Sequence, residues 1–243
     1  MPFSLFNSQT WQPAYWYAPN GSVAANTASW VLNPFNPDTP INNVYEINNS
    51  ILSLSLQQVP TGLNQACGGQ AYVSGAVNTQ AGFRQQYGYF EAEIAVNLVQ
   101  GAYYMFSLMT DVQSPPEIDV TLYYPPGGSS WVCQFGVWDA KNVNSYLPQN
   151  NWLSSTNQTY ENLNILNFHK YGIYWQPTSM TFYIDHCEVF QCTSPTGYNY
   201  TMFPVLAINC GSIGSAMGPL ISPTSLPATM QIESVQVYKY LPF

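Results

Sequence analysis

Short runs rich in β-branched and aromatic residues recur along the whole chain, with turn-forming residues between them. The 19 prolines and 16 glycines are spread among these runs rather than gathered in one segment. No segment keeps the 3.6-residue apolar period of an amphipathic helix. Examples of the runs are GYFEAEIAV (88–96), AYYMFSLMT (102–110), EIDVTLYY (117–124) and MTFYIDHCEVFQC (180–192). Strands at this spacing predict an all-β sandwich or barrel.

The chain reads as one domain over residues 1–243, because neither a linker nor an internal repeat interrupts the pattern. Two hairpins are predicted from turn residues between β-rich runs. One joins Met180–Ile184 to Glu188–Gln191 through a tight turn near Asp185–Cys187. The other turns within INNS, at Asn48 and Asn49.

Charge is scarce in this chain. Asp, Glu, Lys and Arg make up 7% of the residues, against about 25% in ordinary soluble domains. Four basic residues cannot form the positive surface with which proteins bind nucleic acid, and anionic membranes are excluded for the same reason. Amides, hydroxyls and an aromatic content of 16% suit an uncharged polar ligand. We therefore expect a polysaccharide or oligosaccharide partner.

Nothing in the sequence indicates a membrane anchor. No apolar run approaches the roughly 20 residues of a membrane span. The N-terminus has no basic start followed by an apolar stretch, so no signal peptide is visible. A surface with few charges changes little in acid, which favours an extracellular or surface-exposed protein.

The five cysteines match no zinc-binding spacing. They are either small buried residues or partners in one or two disulfides. Cys187 and Cys192 are the nearest candidates for a pair, because they flank one short strand. Two distant histidines and no acidic cluster at ligand spacing predict neither a metal site nor a cofactor, although a structural calcium held by carbonyl groups would leave no sequence pattern.

Five segments follow one another along the chain: QYGYFEAEIAV (86–96), GAYYMFSLMTD (101–111), PPEIDVTLYY (115–124), FHKYGIYWQPTSMTFYID (168–185) and MFPVLAINCGSIG (202–214). In this order they resemble glycoside hydrolase family 16, which includes laminarinases, lichenases, agarases and carrageenases. The resemblance covers roughly residues 40–240. It implies a concanavalin-like jelly roll, a two-sheet antiparallel β-sandwich, and retaining endo-β-glycosidase chemistry on a β-glucan or a galactan.

Glu117 and Asp119 are two residues apart in a β-rich run, so their side chains share one face of the predicted strand. The resemblance implies that Glu117 is the nucleophile and that Asp119 orients and tunes it. The family's motif places the acid/base Glu two residues after the Asp, or three where a β-bulge adds a residue. Thr121 and Leu122 occupy these two positions here, and neither can act as a carboxylic acid. The Tyr123–Tyr124 pair that follows resembles the bulged members, which implies that Leu122 stands at the acid/base position.

The missing carboxyl group puts hydrolysis in question, since general acid–base catalysis contributes about 10²–10⁴-fold in rate. Asp139, after the next strand, is the nearest candidate for a substitute acid, with a turn-capping role as the alternative. Three functions stay open. The chain is a glycosidase with impaired or lost catalysis, a non-catalytic carbohydrate-binding protein, or a structural surface or virion protein on the same fold.

Aromatic side chains beside the carboxylates are candidates for sugar binding. They are Tyr104 on the preceding strand, Tyr124 after the motif and Trp138 on the next strand. Because side chains alternate along a strand, about half of such rings must face the core. Arg84, the only arginine, is either a further substrate contact or the partner of a carboxylate at the core edge.

Overall fold

A computed structural model describes residues 10–18, 21–23, 27–35, 41, 44–97, 99–111, 116–127, 130–139, 152–154, 163–211 and 226–243. Their regular secondary structure is nearly all β-strand, with a short 3-10 helix at Gln65–Cys67. The strands are β1 (Gln12–Pro13), β2 (Ser22–Val23), β3 (Ser29–Val31), β4 (Tyr45–Asn48), β5 (Ile51–Gln58), β6 (Tyr72–Ser74), β7 (Ala76–Asn78), β8 (Gly88–Val96), β9 (Ala102–Met109), β10 (Glu117–Gly127), β11 (Ser130–Trp138), β12 (Trp152–Ser154), β13 (His169–Trp175), β14 (Ser179–Ile184), β15 (Cys187–Thr193), β16 (Phe203–Cys210) and β17 (Ala228–Tyr238).

The strands form two sheets. The seven-stranded sheet has the order β1-β7-β16-β9-β10-β11-β12. The ten-stranded sheet has the order β15-β14-β13-β8-β17-β5-β6-β3-β2, and β4 pairs with β5 outside this path. Among the strands described, β3 and β6 pair in parallel and the other pairs are antiparallel. The predicted two-sheet antiparallel β-sandwich is confirmed.

A large apolar core lies between the sheets. Phe106 and Ile118 of the seven-stranded sheet belong to it together with Phe90, Ile173 and Phe182 of the ten-stranded sheet. Each of these side chains is essentially removed from water. Burial of one such side chain contributes about 1.5–3 kcal/mol, so the inter-sheet core is the main source of stability.

The central strand β9 is buried along its whole length, because both of its faces are covered. Tyr104, Phe106 and Leu108 enter the core between the sheets. The intervening residues face a second cluster on the opposite side of the seven-stranded sheet, which we call the outer cluster. It consists of Ala14, Tyr15, Val31, Ala76, Tyr103, Met105, Met109, Phe203, Val205 and Ala207.

Both predicted hairpins are present. β14 and β15 are joined by Asp185 and His186, which have φ values of 49° and 64°. β4 and β5 are joined by Asn49 and Ser50, one residue later than predicted, with φ values of 49° and 67°. Two consecutive residues with positive φ are typical of the type I′ turn, whose twist matches that of the flanking strands.

All five cysteines are free thiols. Of the two alternatives, a Cys187–Cys192 disulfide is the one that the structure contradicts, because both residues lie on β15, about 17 Å apart at roughly 3.4 Å per residue. A disulfide requires Cα atoms within about 7 Å of each other. Cys67, Cys133 and Cys210 are buried, as expected of small core residues. No described segment forms a helix long and apolar enough to cross a bilayer.

Candidate functional site

A β-bulge interrupts β10 directly after the two candidate carboxylates. Glu117 and Asp119 pair with Met109 and Ser107 of β9, but the next pair joins Thr121 to Phe106. On the β11 side the pairing jumps from Asp119–Gly136 to Leu122–Gln134. One extra residue is therefore accommodated between Asp119 and Leu122, which is the definition of a bulge.

The bulge decides which side chain joins the carboxylates on their face of the sheet. Thr121 bonds to the Sγ atom of Cys133, a residue of the inter-sheet core, at 2.9 Å. Leu122 lies opposite Met105 and packs against the outer cluster. Glu117 lies opposite Met109 of the same cluster. Leu122 is thus the third member of the face that carries Glu117 and Asp119, which we call the carboxylate face.

Asp119 is held by two donors from the neighbouring strands. The Oγ atom of Ser107 donates to Oδ1 at 2.6 Å, and the Nε1 atom of Trp138 donates to Oδ2 at 2.9 Å. Gly136 leaves the space for this contact, since a Cβ atom there would lie 3.2 Å from Oδ2 and 3.4 Å from Nε1. Hydrogen bonds to a charged group contribute about 1.5–3 kcal/mol each, so these two fix the carboxylate in place.

Glu117 is 9% exposed and lies among tyrosines of the N-terminal segment and β9. Burial, and more weakly the negative charge of Glu117, raises the pKa of the Tyr17 phenol. Burial also raises the pKa of Tyr103, with smaller contributions from Tyr15 and then Glu117. The carboxyl group of Glu117 is therefore close to aromatic rings that the sequence analysis did not connect with it.

These rings belong to a compact aromatic group. Tyr15 and Tyr17 stack with ring centroids 5.3 Å apart, and Trp16 contacts Tyr17 and Phe203 edge-on. Tyr17 is 37% exposed, whereas Tyr15 is buried. The dense segment WQPAYWY (11–17) was the sequence signal that could have identified them.

Trp138 is the last residue of β11, beside Glu117, and Asp139 directly follows the strand. Trp138 is the register partner of Glu117 and presents its indole to Asp119 on the carboxylate face. Asp139 is buried, and its hydrogen bond partner is Tyr200. Burial, and next the charge of Asp139, raises the pKa of Tyr200. A role for Asp139 as substitute acid stays a prediction.

Arg84 lies in the connection between β7 and β8 and pairs at 2.5 Å with Asp111, which follows the end of β9. Its Nε and Nη2 atoms donate to the carbonyl oxygen of Gln80, and its guanidinium carbon lies 6.0 Å from the ring centroid of Phe203. The expected carboxylate partner is therefore Asp111, which is partly exposed. A contact between Arg84 and substrate stays a prediction.

The placement of Tyr104 contradicts its proposed role in sugar binding. Its ring is 1% exposed, lies in the inter-sheet core and donates its hydroxyl hydrogen to the carbonyl oxygen of Asn97. Alternation along β9 turns its neighbour Tyr103 to the carboxylate face instead. The side chain of Tyr124 lies outside the described part of the chain.

A tyrosine far along the chain also reaches the site. The Tyr198 hydroxyl donates to the carbonyl oxygens of Glu117 at 3.0 Å and of Trp138 at 3.1 Å. Within the described ranges, no group of three or more His, Cys, Asp or Glu side chains could hold a metal ion. The carboxylate face thus offers a buried acidic pair with aromatic and apolar neighbours.

The chain is similar to known proteins over nearly its whole length. The chain is 25% identical over 235 residues to the endo-1,3-1,4-beta-glycanase EglC of Rhizobium meliloti strain 1021, covering 95% of this chain and 48% of EglC. A second glycanase of that strain, ExsH, is 23% identical over 237 residues, at 95% and 48% coverage. The chain therefore spans about half the length of these curated relatives.

Solved structures share the fold. The laminarinase of Flavobacterium sp. UMI-01 superposes with a TM-score of 0.69 at 18% identity, covering 96% of this chain and 94% of that chain. A lichenase from a mouse hindgut metagenome gives 0.70 at 16% identity, covering 98% and 96%. The sequence model described as glycosyl hydrolases family 16 matches residues 33–215, which is more than half of the chain. The chain belongs to glycosyl hydrolases family 16.

Proposed function

We propose that the chain is a β-glucan-directed protein of the retaining endo-glycosidase type that has a nucleophile but lacks its acid/base carboxyl group. The observation that carries this proposal is the bulged strand. It places Glu117, Asp119 and Leu122 on one face, with Asp119 held by Ser107 and Trp138. The two glycanase relatives support a mixed-linkage β-1,3-1,4-glucan as the substrate class, with a galactan as the alternative.

In this proposal the carboxylate of Glu117 attacks the anomeric carbon of the sugar and forms a glycosyl-enzyme bond. The bond between the anomeric carbon and the leaving oxygen breaks, and its electron pair goes to that oxygen. A retaining enzyme supplies a proton to the oxygen from a second carboxyl group about 5–5.5 Å from the first. Leu122 has no proton to give, so the leaving group must depart as an anion. Natural glycosides would react slowly, and activated aryl glycosides would react well.

The test compares leaving groups. We expect a dinitrophenyl β-glucoside or β-cellobioside to be cleaved, with a burst of phenolate from the first step. Lichenan, laminarin and agarose should be cleaved at least about 100-fold less efficiently than by an enzyme with an acid. Glu117→Gln, which keeps the shape and removes the charge, should abolish the burst. If the polymers were turned over at ordinary rates and Glu117→Gln abolished this turnover, another group would have to serve as the acid. The Asp139→Asn variant would then test Asp139 in that role.

A non-catalytic carbohydrate-binding protein is the second candidate. The packing of Leu122 against the outer cluster favours it, because the third position of the face is apolar. Oligosaccharide binding without a phenolate burst would support this candidate. If the protein showed neither oligosaccharide binding nor turnover, that result would support the structural surface or virion protein. In either carbohydrate-directed case we place the protein outside the cell or on its surface, where a polysaccharide partner is met.

A further inference from the structure

Tyr198 lies in the connection between β15 and β16, which is tied to the scaffold at both ends. At its start, the Oγ atom of Ser194 donates to the carbonyl oxygen of Gln176 at 2.7 Å. At its end, Met202 and Gln85 exchange two backbone hydrogen bonds, at 2.8 and 3.1 Å. Neither anchor is part of β10 or β11. The connection is therefore held in place by contacts that do not involve the two strands carrying the site.

The side chain of Tyr198 is fixed as firmly as its backbone. The residue is 3% exposed, and its ring packs edge-on against Trp175 and Tyr200, with centroids 5.9 and 5.0 Å away. Burial, and then the charges of Glu117 and Asp139, raises the pKa of its phenol. The hydroxyl group therefore stays protonated and acts as a donor over the whole pH range in which the protein would work.

This hydroxyl joins the two strands at the carboxylates. Glu117 and Trp138 are register partners at the start of β10 and the end of β11. A phenol has one proton, so Tyr198 shares it between the two carbonyl oxygens. Trp138 in turn donates to Asp119. One side chain thus holds the backbone of Glu117 directly, and Asp119 through Trp138.

We propose that Tyr198 is a positioning residue, which holds the Glu117 backbone and the Trp138 indole in the geometry needed for attack by Glu117. The inference rests on the proposed function, since it assigns Tyr198 a part in that attack. Reacting groups must be held within about 0.5 Å of the productive geometry. A displacement of about 1 Å can lower a rate about 100-fold. Loss of one shared hydrogen bond moves the strand ends by less, so we expect a fall of about ten-fold.

The test measures inactivation by a 2-deoxy-2-fluoro-β-glucosyl fluoride, which labels a glycosidase nucleophile, by intact-protein mass spectrometry. Tyr198→Phe should lower the inactivation rate constant about ten-fold and leave the inhibitor concentration at half-maximal rate unchanged. Replacement of Tyr198 by 4-aminophenylalanine, which again places an N–H donor at the ring end, should restore the rate. The matched control is Tyr171→Phe, because Tyr171 also has a buried, hydrogen-bonded hydroxyl but in the inter-sheet core.

The control variant should keep the wild-type labelling rate. A Tyr198→Phe rate within two-fold of wild type would overturn the inference, as would a fall of equal size in Tyr171→Phe. If Tyr198→Phe does not fold, the 4-aminophenylalanine variant decides. Wild-type labelling by that variant supports the positioning role, and slow labelling of the folded variant contradicts it.

A second readout separates this inference from the proposed function. Absence of labelling in the wild-type protein would refute the nucleophile, and the exchange of the Trp138 indole N–H with solvent would then test the positioning. This proton is assigned in a ¹⁵N spectrum by its loss in Trp138→Phe. In Tyr198→Phe it should exchange at least about ten-fold faster than in the wild type, and in Tyr171→Phe at the wild-type rate. An unchanged rate in Tyr198→Phe would overturn the inference.

Discussion

Replacement of Leu122 by a carboxylic acid should create the activity that the chain lacks. Leu122 follows the bulge and lies on the carboxylate face, opposite Met105. Leu122→Glu therefore adds a carboxyl group on the same face as Glu117, where a retaining enzyme needs it. We expect the cleavage rate of lichenan or laminarin to rise by about 10²–10⁴-fold, the usual contribution of general acid–base catalysis. Cleavage of a dinitrophenyl glycoside should change little in its first step, because that leaving group needs no proton.

The position of Leu122 in the structure also limits the loss of stability that this substitution causes. Leu122 is half-buried, so its replacement loses a part of the about 1.5–3 kcal/mol that full burial of a leucine contributes. The apolar neighbours disfavour the charged form and so favour a protonated acid at neutral pH. Because the acid must be protonated to work, polymer cleavage should decline as the pH rises through its pKa.

The assay is release of reducing sugar, measured beside a Leu122→Gln variant that loses the same packing and gains no acid. Thermal unfolding checks that both variants fold equally well. A folded Leu122→Glu protein with no more polymer cleavage than Leu122→Gln would refute the assignment of position 122, and with it the role given to the bulge.

Three further outcomes are expected. Trp138→Phe removes one hydrogen-bond donor from Asp119, which should lower the free energy of urea unfolding by about 1–3 kcal/mol and slow labelling of the nucleophile. If stability and labelling were unchanged, the indole hydrogen bond would contribute to neither. Ellman's reagent should modify the exposed Cys187 in the native protein but Cys133 only after unfolding, and equal rates would contradict the packing of β11. Burial raises the pKa of Cys133 to about 12, so the folded state keeps a proton that the unfolded state releases above about pH 9. The free energy of unfolding should therefore decline from about pH 9 towards pH 12, and a Cys133→Ala variant should show a shallower decline.

The fold and the two hairpins could be predicted because their signals are local. The two-residue alternation of a strand and the turn preferences of Asn and Asp act within a few residues. For the same reason the shared face of Glu117 and Asp119 followed from their spacing alone. The candidate Cys187–Cys192 disulfide is absent, since two residues that are near each other in the sequence of an extended strand are not near enough in space to form a bond.

The faces of β9 could not be predicted. This strand is buried on both sides, so its sequence shows a continuous apolar run instead of alternation. Tyr103 and Tyr104 are therefore equivalent in the sequence, although only Tyr103 faces the carboxylates. The N-terminal rings, such as Tyr17, reach the site through the packing of a segment about 100 residues away along the chain.

Local patterns in the sequence are enough to predict an all-β chain with little charge, and to place two carboxylates on one face with no third one at either expected position. The tertiary structure shows the bulge that turns Thr121 to the core and Leu122 to the carboxylates. It likewise brought the Tyr198 hydroxyl to the backbone of Glu117. Strand register and the docking of connections depend on pairing between distant segments, whereas alternation and turn chemistry depend on neighbours alone.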